Sequence, residues 1–60
     1  MTHEQSNKIS SIIDALEDEY ILIDNLLKYE YFIETQEKCL KAALSGLNGV
    51  IEMLYVVKDE

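Results

Sequence analysis

Apolar residues recur along this chain with a helical period. Ile33, Leu40, Leu47 and Leu54 stand seven residues apart, and Gln36, Ala43, Val50 and Val57 follow them by three. Such a heptad, with its a and d positions filled, forms the seam of a helix lying along another helix. It predicts a helix over about 33–58. Upstream, Ile9, Ile13, Leu16, Tyr20, Ile23 and Leu27 alternate in steps of four and three, while Asp14, Glu17, Asp18 and Asp24 fall on the other face. That stripe predicts a first helix over about 3–28. Thr2 is its expected N-cap, with Gln5 completing a capping box.

No glycine, proline or asparagine marks a turn between the two stripes. The phase of the repeat marks it instead. Continued past Leu27, the first heptad would place Glu34, Lys41 and Asn48 in its seam. The apolar seam resumes at Ile33, one residue out of step. A tight turn at about 29–32 resets that phase without strain, whereas one long helix would have to absorb it. The expected fold is therefore all-α: a single helical-hairpin domain over 1–60, with two antiparallel helices packed as in a coiled coil. Each arm should be roughly 35–40 Å long at about 1.5 Å per residue.

A hairpin seam uses only a and d, and this chain carries more apolar surface than that. One side collects Ile12, Ala15, Leu22, Leu26 and Tyr29 from the first helix, with Glu19 as its one acid. From the second helix it takes Cys39, Ala42, Gly46, Gly49, Met53 and Val56. The other side is mostly polar (Ser10, Asp14, Glu17, Asp24, Lys28, Glu34, Lys41 and Asn48), interrupted by Ile21, Leu44, Ile51 and Tyr55. A continuous apolar side on so small a protein predicts a partner. Ile12, Ala15, Leu22, Leu26, Cys39, Ala42, Gly46, Gly49, Met53 and Val56 are its candidate contact residues. Ala42, Gly46 and Gly49 form a low strip where a partner backbone can approach; each glycine costs a helix interior about 1 kcal/mol relative to alanine.

Length and charge narrow the function. Sixty residues bury too little surface for comfortable independent stability. One cysteine excludes an internal disulfide, and one histidine with one cysteine leaves no structural zinc site. Oligomerisation or a partner chain remains as the supplement. Twelve acids against five lysines, with no arginine, give a net charge of −7. That balance disfavours nucleic acid and anionic membrane surfaces. The longest strictly apolar runs, 20–23 and 53–57, are far short of a membrane span. The Met-Thr-His-Glu-Gln start lacks a basic segment followed by an apolar run. Both features predict a cytoplasmic protein without membrane insertion and with Cys39 reduced.

No residue pattern points to catalysis or to a cofactor. Asp14, Glu17, Asp18 and Glu19 cluster, but a two-helix hairpin gives them no water-excluding pocket, so they read as a solvated face. His3 has no partner of metal or triad geometry. Cys39 lacks an activating cation or histidine and reads as a buried small hydrophobe.

The segment Cys39-Leu-Lys-Ala-Ala-Leu-Ser-Gly-Leu-Asn-Gly-Val-Ile-Glu-Met-Leu-Tyr-Val56 resembles the last helix of the small type III secretion needle-protein co-chaperones of the YscE, SsaE and EscE kind. Those proteins are short helical hairpins, and their second helix ends in an apolar run like Val50-Ile51-Glu52-Met53-Leu54-Tyr55. The resemblance covers roughly 31–57. It departs in the turn, since relatives often carry glycine or proline there. It implies a non-catalytic protein that pairs with a larger helical-repeat chaperone and keeps the needle subunit soluble and unpolymerised. The alternative from the residues alone is a self-associating adaptor or regulatory hairpin, a homodimeric four-helix bundle that binds another protein. In either case, a homodimer or higher oligomer is the expected state of the chain without its partner.

Overall fold

A computed structural model describes residues 1–60. Two helices, α1 (His3–Tyr29) and α2 (Glu34–Asp59), pack against each other as an all-helical hairpin with no strand. The molecule is a rod measuring 45 × 15 × 10 Å.

Both helices begin where local chemistry supplies partners for their free N–H groups. At α1 the Thr2 hydroxyl accepts from the Gln5 N–H at 3.1 Å, and the Gln5 side chain accepts from the Thr2 N–H at 3.0 Å. This is the expected reciprocal box. At α2 only half of such a box forms. The Ile33 N–H donates to Gln36 Oε1 at 3.2 Å, and isoleucine offers no acceptor in return. Glu34 and Glu37 lie in the first turn of α2 and Lys58 in its last, as the helix dipole favours. Four ion pairs brace the helix surfaces: Glu4–Lys8, Asp24–Lys28, Glu34–Lys38 and Glu37–Lys41. In each the acid precedes the lysine by four residues, the favourable order.

The connection is Glu30–Ile33, and it needs no left-handed residue. Glu30 closes α1 with extended backbone (φ −116°, ψ 152°) while its N–H donates to the Leu26 carbonyl at 2.9 Å. Ile33 is extended as well (φ −69°, ψ 160°). No residue in the chain has positive φ, which explains how a chain without a turn glycine reverses here. Phe32 is half-buried at the turn, whereas Tyr29 and Tyr31 are among the most exposed side chains.

The α1 seam is the one its periodicity predicts: Ile13 is buried, and Ile9, Leu16, Tyr20, Ile23 and Leu27 are half-buried. The α2 seam differs from expectation. Leu40, Leu47 and Leu54 face inward, but the residues that alternate with them are Glu37, Leu44 and Ile51. Gln36, Ala43, Val50 and Val57, expected in the seam, are exposed, as is Ile33. With Leu40, Leu47 and Leu54 kept in place, the seam shifts by about half a residue step, roughly 50° around the helix. The cause is side-chain volume. A seam built on Leu44 and Ile51 buries more apolar surface than one built on Ala43 and Val50. Leu44 and Ile51 therefore do not interrupt the polar side; they form the core.

That core is small. Ile13 and Ile51 are the only buried residues.

Candidate partner-binding face

The rotation of α2 decides what lies on each side of the hairpin. One side is polar. Tyr55 reaches across from α2 and donates its hydroxyl proton to Glu17 Oε1 at 2.8 Å. The same bond raises the Tyr55 pKa above its ordinary value, with lesser contributions from partial desolvation and nearby carboxylates. Asn48 donates to Glu52 at 3.4 Å on this side. A shallow depression here is lined by Glu17, Tyr20, Ile21, Asn48 and Ile51. Elsewhere on α1 Asp24 pairs with Lys28 at 2.8 Å, and that hydrogen bond raises the lysine pKa.

The other side is apolar and open. From α1 it presents Ile12, Ala15, Leu22, Leu26 and Tyr29. From α2 it presents Cys39, Gly46 and Met53, together with Ala43, Val50 and Val57, which the rotated register turns outward. Ile12, Leu22, Leu26, Val50 and Met53 each leave between 41 and 63% of their surface to solvent. Of the ten expected contact residues, nine are exposed and Gly49 is half-covered. They are not all on one edge. In the observed register Ala42, Gly49 and Val56 lie on the back of α2, away from the α1 seam. Ala43, Val50 and Val57 belong to the open side and were hidden by the assumed seam. Their signal was present in the sequence: Leu44 and Ile51 are the larger side chains one position on.

Cys39 was expected to be buried; the structure leaves it exposed on this side. A Cβ added at Gly46 or Gly49 would meet no atom within 4 Å. The glycines therefore do not serve the packing of α1 against α2. No group of histidine, cysteine and carboxylate side chains is placed to hold a metal ion.

The hydropathy of α2 also corrects an expectation. By length and composition Glu34–Asp59 is apolar enough to cross a membrane, although no strictly apolar run in it is long. Asn48 and Glu52 sit within that helix, and a charged carboxylate is expensive at bilayer depth. In the hairpin the apolarity of α2 divides between the seam and the open side.

No protein-family model matches the chain, and no curated protein or solved structure matches it.

Proposed function

We propose that this protein is a non-catalytic binding module, a helical hairpin that completes its own core by docking its apolar side on helices of another protein. One observation carries the reading: Ile12, Leu22, Leu26, Val50 and Met53 stand exposed along one side of a hairpin that buries only two residues of its own. Exposed apolar surface of this continuity marks an interaction site on a soluble chain.

In its most specific form the partner is a larger helical-repeat chaperone of a type III secretion system. The pair would hold the needle subunit soluble and unpolymerised in the cytoplasm. This form rests on the resemblance of Cys39–Val56 to the co-chaperones named above. Its role would be to stabilise the larger chaperone more than to grip the needle subunit.

The test is co-expression with a repeat-type chaperone and its needle subunit, followed by size determination of the purified product. A stoichiometric complex containing this chain is expected. A stable homodimer that takes up neither protein would defeat the co-chaperone reading and favour a self-associating adaptor.

A further inference from the structure

We propose that the open side receives an amphipathic helix of another protein whose apolar stripe is flanked by lysine or arginine, in preference to a second copy of this chain. The inference rests on the binding-module reading and names the chemistry of the partner. It comes from a groove along α1, about 560 Å³ in volume, lined by Leu22, Ile23, Leu26 and Tyr29 with Asn25 among them. Glu19 and Glu30 stand at its two ends. Eleven residues of sequence separate them, so the acids bracket roughly 16 Å of mostly apolar floor at about 1.5 Å per helical residue.

Neither acid has an ionic partner. The four ion pairs use Glu4, Asp24, Glu34 and Glu37. They also engage four of the five lysines, and the fifth, Lys58, stands in the last turn of α2. A partner that covers the groove removes water from both carboxylates. That costs free energy unless the partner supplies cations.

A second copy is poorly suited to do so. It brings the same net charge of −7. Counted from the turn, Glu19 lies about ten residues along α1 and Gly46 about twelve along α2, both near mid-length. A two-fold pairing of open sides with the hairpins antiparallel would therefore bring the two copies of Glu19 near the axis. Like charges placed together across an interface oppose it. A helix with an apolar stripe about three turns long and a cation at each end answers both features of the groove.

The test uses two synthetic 18-residue helical peptides with one leucine and alanine stripe, one flanked by lysine and the other by glutamate. Binding is titrated against the full chain at 50 and 500 mM salt. The lysine peptide should bind, weaken with salt, and bind at least about tenfold better than the glutamate peptide, the size of a few desolvated charge contacts. Glu19→Gln with Glu30→Gln should weaken it roughly fivefold, as two half-exposed ion pairs would. Asp14→Asn with Glu52→Gln removes the same charge from the polar side and should change little. Circular dichroism of each variant establishes that the helices persist.

Equal binding of both peptides, no binding of either, or equal effects of the two double variants would overturn the inference. So would preferential binding to lipid vesicles, or a tight homodimer that excludes the peptide. If the co-expressed chaperone complex forms but responds equally to both double variants, the charge assignment fails and the binding-module reading stands. If no complex forms and neither peptide binds, both fail.

Discussion

Tyr55 and Glu17 join the two helices through one side-chain hydrogen bond of 2.8 Å. The bond holds the phenol neutral and raises its pKa above the ordinary tyrosine value of about 10. A group whose pKa is higher in the folded state stabilises that state below its unfolded pKa, and the contribution disappears as pH rises through the folded value. Stability from this bond is therefore complete at neutral pH and falls above about pH 10, where a phenolate would face the Glu17 carboxylate. Tyr55→Phe should remove the part of the alkaline decline that belongs to this pair, and thermal melts between pH 8 and 11 measure the difference. Gly46 makes a different case at the same scale. It is helical, without positive φ, and a Cβ there meets only open space. Gly46→Ala should therefore stabilise the isolated hairpin by about 1 kcal/mol in urea unfolding. An isolated chain would do better without the glycine; the proposed docking role would give it a use, as a low spot on the open side.

At the scale of the helix, the register of α2 is the decisive feature. Most of the fold could be read in the sequence: two amphipathic stripes, the Thr2–Gln5 cap, and the phase break that places the turn. The rotation of α2 could not be read from spacing alone. Leu40, Leu47 and Leu54 can alternate either with Ala43 and Val50 or with Leu44 and Ile51, and both stripes have helical period. The choice is made by the volume available between the helices, which is a tertiary property. The candidate face was correspondingly legible on α1 and displaced on α2, where Ala43, Val50 and Val57 replaced Ala42, Gly49 and Val56 at the edge nearest α1. The register itself can be tested with adjacent residues. Ile51→Asp places a charge in the core and should cost about 3 kcal/mol or more. That is comparable with all the stability a chain of this length holds, so helical circular dichroism should collapse. Val50→Asp changes a side chain 41% exposed and should leave the spectrum nearly intact.

As a whole the molecule has more surface than its mass calls for. It exposes 4674 Å², whereas a compact monomer of 6.9 kDa exposes about 4,000 Å². Its radius of gyration is 14.1 Å against about 10 Å for a compact domain of this length. The surplus of several hundred Å² approaches what one partner contributes to a standard interface, about 800 Å². A partner that covers the open side would bring the chain to the burial of an ordinary small domain. It would also raise its stability by mass action, by about 2.7 kcal/mol at a hundred times the dissociation constant.

Two neighbouring residues offer the most direct test that this side binds the partner. Ile21 and Leu22 are equally exposed, at 55% and 57%, yet Ile21 borders the depression on the polar side and Leu22 the groove on the apolar side. Ile21→Asp and Leu22→Asp add the same charge at nearly the same height, and neither side chain is itself buried. The measurement is the mass of the chaperone complex recovered on co-expression with each variant. Ile21→Asp should keep the stoichiometric complex and Leu22→Asp should lose it, with equal helix content in the two isolated chains. A complex that survives Leu22→Asp, or is lost with Ile21→Asp instead, would contradict that expectation.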